Sequence, residues 1–330
     1  MTTERGGMKF AVGVLAAVAL VVTACHVQAQ QYPQRAVSLV VPFPPGAATD
    51  AFARIVADRM TKVLGQQVVV INRDGASGII GTDSVARAAA DGYTLLWGTS
   101  SALAIMPALG RKMPFDPQRD LAPVSLGAKL AYLLVVHPSL PVKSVKELIG
   151  LAKARAGKLN YASAGVGGAP HLSAELFKTM AGVEIVHVPY RGTALFMTDL
   201  VAGQVEMGFA SPVSTLPFTN NGRLRALALT TTTRIDAYPD LPTMAEAGLP
   251  GYELTQWYAL LAPAKTPAET IATLNGAMRK ALEDAEVRRR ITSEGGVPSP
   301  TSPEGLAAFI RTETAQYSRI AKAAKLKLDE

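Results

Sequence analysis

Hydroxyl, imidazole and backbone amide groups gather at two places in this chain, each between an apolar run and a helical pattern. Pro42-Phe43-Pro44-Pro45-Gly46-Ala47-Ala48-Thr49-Asp50 follows the run Val37 to Val41. Ser163-Ala164-Gly165-Val166-Gly167-Gly168-Ala169-Pro170-His171 follows Leu159 to Ala162. A turn of small residues at the head of a helix leaves N–H groups unpaired at the helix's positive end, and the chemistry this offers is anion binding. Neither segment has a phosphate-loop lysine or the full dinucleotide glycine spacing, so nucleotide phosphate is a poor fit. One such turn in each half of the chain predicts a small anion held between two lobes.

Catalytic chemistry has less to work with. A G-x-S-x-G elbow is missing, and Gly75-Ala76-Ser77-Gly78 follows Asn72-Arg73 with the wrong spacing. Beyond the N-terminal segment the histidines are His137, His171 and His187. The first sits at a strand end before Pro138 and the last inside a strand, which are structural settings. His171 stands at a helix head, where ligand contact competes with capping or packing. His171 and Glu175 share a helix face without a third ligand, and the aspartates lack calcium-loop spacing, so no metal is expected. Glu184 lies where a dinucleotide acid belongs, but Pro170 occupies the third glycine position. No cofactor is expected.

Carboxylate binding asks only for N–H groups, hydroxyls and apolar walls. Thr99, Ser100 and Ser101 follow the strand Thr94 to Trp97, at the edge where open α/β sheets place ligands. Tyr190-Arg191-Gly192-Thr193 follows Ile185 to Val188 and offers a hydroxyl and a guanidinium, the latter able to grip a carboxylate bidentately or to tie down its own loop. Trp257 and Tyr258 read either as a cleft cover or as core.

The elements that position these groups alternate strand and helix, the pattern of an α/β protein. Val37 to Phe43 is nearly unbroken in its apolar character, as in a parallel sheet covered on both faces. The next helix aligns Phe52, Ile55, Val56, Met60 and Val63, with Thr49 or Asp50 expected as N-cap and Gly65 as the stop. Ser144-Val145-Lys146-Glu147 is a capping box. Further strands are expected at Val68 to Ile71, Val205 to Phe209 and Leu224 to Leu229, and C-terminal helices at Pro267 to Asp284 and from Pro303. Extended stretches near Val124 to Val136 and Tyr252 to Ala262 are the expected crossovers. They place one lobe at 30–131 and 254–330, discontinuous in sequence, and the other at 132–253.

At 330 residues the chain suits two cores. A charged fraction of 18% with net charge +7 describes a globular protein with a mild preference for anions. Arg288-Arg289-Arg290 reads as a solvated helix face, and no nucleic acid is expected. Residues 1–29 read as a secretory signal: Arg5 and Lys9, then an apolar stretch Phe10 to Val22 too short to span a membrane comfortably. Met8 is an alternative start. Cleavage after Ala29 competes with lipid attachment at Cys25, the one cysteine, so the body carries no thiol chemistry. A periplasmic location follows.

These same segments carry a family resemblance. Pro42-Phe43-Pro44-Pro45-Gly46 with Asp50, Asp91-Gly92-Tyr93-Thr94-Leu95-Leu96, Ser163-Ala164-Gly165 with His171-Leu172 and Glu175, Val188-Pro189-Tyr190-Arg191-Gly192, and Pro242-Thr243-Met244-Ala245-Glu246-Ala247-Gly248 resemble the Bug family, the TctC-like extracytoplasmic solute receptors of tripartite tricarboxylate transporters. The match runs over residues 31–330. It implies a type II periplasmic binding protein, with two α/β lobes, two crossover strands and a cleft closing on a small carboxylate. It also implies ligand contacts from Phe43, Pro44, Gly46, Ala47, Thr49, Asp50, Ser163, Ala164, Gly165, Gly168 and His171, with Thr99 to Ser101 and Tyr190 to Gly192 lining the same cleft. Where the family often has an acid after the strand ending at Phe209, this chain has Ala210 and Ser211, which argues against an amino-bearing ligand. The implied partners are permease subunits or a sensor ectodomain, with the receptor a monomer. The competing expectation is an exported α/β hydrolase or transferase acting on a small carboxylate.

Overall fold

The structure is a computed structural model that describes residues 32–46, 48–324 and 326. The signal-sequence expectations at 1–29, Cys25 among them, and Ala47 of the first turn lie outside the described residues. Arg35–Glu330 form one unit; of the unit before it, Tyr32–Gln34 are described as a bent segment.

Two mixed sheets organise that unit. The first has strand order β11-β4-β10-β3-β1-β2, with β1 Val37–Val41, β2 Val68–Asn72, β3 Thr94–Thr99, β4 Leu121–Leu130, β10 Gln256–Pro263 and β11 Gly296–Pro298. The second runs β7-β6-β8-β5-β9, with β5 Leu133–Val136, β6 Asn160–Ser163, β7 Val186–Pro189, β8 Met207–Ala210 and β9 Arg225–Leu229. Their helices are α1 Ala48–Leu64, α2 Ile79–Ala86, α3 Val145–Ala154, α4 Ala169–Ala181, α5 Thr193–Val201, α6 Pro212–Thr219, α7 Ala268–Glu283, α8 Ala285–Ser293 and α9 Pro303–Ala323.

β1 and β3 are buried through their centres because helices cover both faces, which is why they read as continuous apolar runs. α1 buries Phe52, Ile55, Val56 and Met60 along one stripe. Neither Thr49 nor Asp50 caps it in the expected way. The helix opens at Ala48, and the Asp50 carboxylate reaches back to accept the Gly46 N–H at 3.1 Å. At α3 Ser144 caps as read, its Oγ accepting from the Glu147 N–H, while Glu147 reaches one residue further back than a capping box requires and accepts from the Lys143 N–H.

Strand register fixes which loops face each other. β1, β2 and β3 are parallel, so the segments after Val41, Asn72 and Thr99 leave one edge of the first sheet. Antiparallel β10 begins at that edge, Gln256 opposite Leu130 and Tyr258 opposite Thr99. In the second sheet Leu133 opens β5 opposite Ala210 and Leu229, the last residues of β8 and β9, and β6 and β7 run parallel to β8. Only residues 131 and 132 separate β4 from β5, so the edge bearing Ser163, Pro189 and Ala210 confronts the edge bearing Val41 and Thr99. The outgoing and returning crossovers are laced together: Tyr132 N–H donates to Thr230 Oγ1 at 2.9 Å, and Leu254 N–H to Thr230 O at 3.0 Å.

α9 clamps the returning strand. Glu313 Oε2 accepts from Trp257 Nε1 at 3.0 Å and from the Tyr317 hydroxyl at 2.6 Å, and burial raises its carboxyl above the usual glutamate value despite these donors. Trp257 is fully buried against Phe309, edge to face. It is core, not a cleft cover, because its indole has both its apolar wall and its acceptor inside the first lobe.

Candidate functional site

The first turn is held from beneath by a closed polar network. Asn72, at the end of β2, donates from Nδ2 to Phe43 O at 3.0 Å and to Asp50 Oδ1 at 2.9 Å. Arg54 donates from Nε to Asp50 Oδ2 at 2.9 Å and from Nη2 to Asn72 Oδ1 at 3.1 Å. Burial alone would raise the Asp50 carboxyl; the Arg54 guanidinium, the Asn72 amide and the Gly46 N–H together bring it below its usual value. Asp50 therefore spends its charge inside the turn, on the Gly46 N–H, Arg54 and Asn72. Thr49, in the first turn of α1, is buried, as is Tyr258 on β10. Pro44 and Gly46 are exposed at the turn's tip.

The second turn rests on stacked rings. His171 lies over His187 at 4.3 Å, and His187 over Tyr161 at 4.7 Å. Gly167 N–H donates to His171 Nδ1 at 3.2 Å, so this imidazole is neutral with its proton on Nε2. His187 Nε2 pairs with Ser163 Oγ at 2.7 Å, and Ser163 Oγ in turn accepts the Gly165 N–H at 3.3 Å. His171 is thus turned inward as a brace. The N–H groups of Gly168, Ala169 and His171 are left at the head of α4 without intrahelical acceptors. Gly165, with φ of 136°, takes a conformation that an L side chain rarely adopts.

In the Ser163–His187 pair Ser163 is fully buried, and among the described residues no carboxylate bonds the other nitrogen of His187, as one would to orient a base beside a nucleophile. The pair's chemistry is structural and pH-dependent. Burial lowers His171, and burial with the neighbouring His171 holds His187 down to about 3. An unfolded imidazole takes up a proton near pH 6.5, whereas His171 does so lower and His187 only near 3, so their contribution to stability is complete above pH 6.5 and is lost as pH falls toward 3. Thermal unfolding of wild type should therefore decline more steeply between pH 6.5 and 4 than that of His187→Gln; equal slopes would remove the ring stack from the acid response.

The remaining residues line the same two edges. Thr99 and Ser100 are fully buried; Ser100 Oγ donates to Gln256 Oε1 at 2.9 Å, and Thr99 Oγ1 has no partner among the described residues. Ser101 begins a π-turn, Ser101–Ile105, whose Leu103, Ala104 and Ile105 pack in one core with Ala169 and Leu172 of α4. The Tyr190 hydroxyl is not offered to the cleft: it donates to Asp199 Oδ2 at 2.7 Å, and burial and Asp199 push it up to about 12. Arg191 is exposed beside it, and Gly192 leads into α5. Ala210 and Ser211 close β8 and head α6, Ser211 Oγ lying 3.0 Å from Ser214 Oγ. Among the described residues no cluster suits a metal ion.

Asn72, Gln256 and His187 hold these turns, and sequence reasoning did not single them out for it. Gln256 had one visible signal, a polar residue opening an otherwise apolar strand. Replacing Asn72 by alanine removes the link between Phe43 O and Asp50 and leaves half-buried polar atoms, a cost of about 1–2 kcal/mol. Asn72→Asp should be worse, since it places a second acid beside Asp50. Thermal unfolding of the two variants checks the order.

Residues 52–326 match the family model described as the tripartite tricarboxylate transporter family receptor. The chain is 38% identical over 306 residues to the protein BugT of Bordetella pertussis, covering 92% of this chain and 94% of that one. Its fold is similar to that of Rpa4515 from R. palustris, solved with adipate, at a TM-score of 0.84 and 40% identity over 90% of this chain and 99% of that chain. It is also similar to MatC from Rhodopseudomonas palustris with bound malate, at 0.79 and 33% identity over 88% and 99%.

Proposed function

The chain belongs to the tripartite tricarboxylate transporter receptor family, the Bug proteins among them, and on that footing we propose that the solute it captures is a small organic carboxylate. The family makes it a periplasmic solute-binding receptor of two α/β lobes. In our reading the lobes comprise 30–131 with 254–330, and 132–253, after a signal sequence at 1–29 that is cleaved after Ala29 or replaced by a lipid at Cys25. A carboxylate is held by N–H groups of Phe43 to Asp50 and of Ser163 to His171, with Thr99 to Ser101, Tyr190 to Gly192, Ala210 and Ser211 as walls. The observation that supports this best is the confrontation of two helix heads, α1 and α4, across laced crossovers. Relatives solved with adipate and malate lend the ligand class.

Ligand bridging both turns shifts the lobes toward the closed form, which a membrane permease or a sensor ectodomain then reads from the monomeric receptor. Catalysis plays no part in this reading. Thermal shift with a carboxylate panel tests it. At a concentration one hundred times its dissociation constant, the right ligand adds about 2.7 kcal/mol, on the order of 5 °C for a chain of this size. Plain dicarboxylates should outperform aspartate. A flat response to the whole panel, or consumption of a panel member, would count against it.

A further inference from the structure

The two turns differ in what holds them. The first is tied down by ions: Asp50, its carboxyl already below the usual value, binds the Gly46 N–H, Arg54 and Asn72. None of these groups changes charge in mild acid. The second is tied down by neutral imidazoles. Its glycines, Gly165, Gly167 and Gly168, give the segment little stiffness of its own, the first two at φ of 136° and 75°. Ser163 Oγ donates to Gly165 O at 3.1 Å and accepts the Gly165 N–H at 3.3 Å. With its one proton spent there, this oxygen receives the proton of His187 Nε2. His171 Nδ1 accepts the Gly167 N–H, which has no second acceptor among the described residues.

That bond exists only while Nδ1 is bare. An imidazolium carries a proton on both nitrogens, so charging His171 sets two N–H groups against each other and frees Gly167. Turning the ring is no remedy, since either nitrogen then donates. A freed glycine turn must be ordered again by the ligand, which costs affinity. The groups around the ring leave its charge weakly supported. Its own helix carries Glu175 and Lys178, bound to each other at 2.7 Å, and Glu175 also accepts the Tyr161 hydroxyl from β6. From β7 comes His187, a second imidazole stacked on the first. β8 and the π-turn Ser101–Ile105 bring no ionisable side chain. Tyr252 donates to Ser173 O, and α9, packed against α4, brings Glu313 and Tyr317, joined to each other at 2.6 Å. Burial therefore outweighs the Glu175 charge and keeps His171 below the usual imidazole value.

We propose that His171 is a positioning residue for carboxylate capture: through the Gly167 N–H it holds the second turn in its binding shape, and a proton on the ring unmakes that shape, so that acid releases a ligand that is still ionised. The proposal rests on the receptor reading above. Because ligand prefers the unprotonated ring, bound ligand makes His171 harder to protonate. Affinity is full near pH 7 and is lost as pH falls through the lowered pKa of His171.

The test uses adipate as the probe. Nitrogen-15 resonances of the histidine rings are followed against pH, without adipate and with saturating adipate. The pKa of His171 should drop by about one or more in the complex, as a tenfold preference for the neutral ring requires. Calorimetry from about pH 7.5 to about pH 4.5 compares wild type with two variants, circular dichroism at each pH separating release from unfolding. His171→Ala should lose about tenfold in affinity near pH 7. His171→Asn, whose Oδ1 stands near the place of Nδ1 and accepts at any pH, should recover most of that loss. Its affinity should also fall less steeply with acid than that of wild type, the titration of adipate being common to both. An unmoved or raised pKa in the complex, a ring that stays neutral until the protein unfolds in acid, or a His171→Asn as impaired as His171→Ala (the imidazole then acting by ligand contact or packing) would each overturn it. If wild type binds neither adipate nor any other carboxylate of the panel near pH 7, the receptor reading itself fails, and the positioning role with it.

Discussion

Gly81→Ala should cost about 3 kcal/mol or more of stability and loosen the first turn with it. A Cβ at this position would lie 2.4 Å from Arg73 O and 2.8 Å from Pro42 Cα. Both are backbone atoms, so the clash cannot be relieved by turning a side chain. α2 must back away from the strand end at Pro42, which carries Phe43 and the amides that follow. The melting temperature should drop by about 5 °C or more, and carboxylate affinity should fall at least tenfold. Gly276→Ala is the control: that glycine lies inside α7 with open space around its Cβ position, so alanine should stabilise by about 0.5–1 kcal/mol. Differential scanning calorimetry of the two variants separates close approach from helix propensity.

Gly295→Ala should act on affinity through closure. Gly295 precedes β11 in the first lobe, and Pro212 opens α6 in the second. The added Cβ would meet Pro212 Cγ at 2.3 Å and Cβ at 2.7 Å, forcing the lobes apart at this seam. The φ of 76° adds a strain of about 1 kcal/mol that has nothing to do with the ligand. Removing the ring separates the two effects. Gly295→Ala should weaken carboxylate binding by tenfold or more, equivalent to about 1.4 kcal/mol against the closed form. Adding Pro212→Gly should recover most of the affinity while leaving the strain penalty in the melting temperature. A double variant that binds no better than Gly295→Ala would show that the seam does not govern closure.

Much of the fold was legible because it is locally encoded. The apolar run of β1, the stripe of α1 from Phe52 to Met60 and the helix cap at Ser144 each state their structure within a few residues. What stayed hidden depends on distant partners. β11 is three residues long and exists only by pairing with β4, about 170 positions earlier. α6 contains Pro212 and Pro217 and buries only Pro212 and Thr215, so it has no apolar period to read. The site divides the same way. Glycine turns ahead of helices announce free amides, whereas the groups that aim them are remote in sequence: Asn72 lies 22 residues from Asp50, His187 24 from Ser163 and Gln256 156 from Ser100. Side-chain identity also misleads where an internal partner is near. Tyr190, Asp50 and His171 look available on paper, yet Asp199, the Asn72–Arg54 pair and the Gly167 N–H claim them.

A crystal structure of the receptor with the carboxylate that stabilises it most would put the two amide cradles to the test. One carboxylate should lie between the helix heads, its oxygens within about 3.2 Å of N–H groups, or of waters bound to them, from both Phe43 to Asp50 and Ser163 to His171. A ligand held by one turn alone, or anchored elsewhere by side-chain cations such as Arg191, would contradict the shared grip.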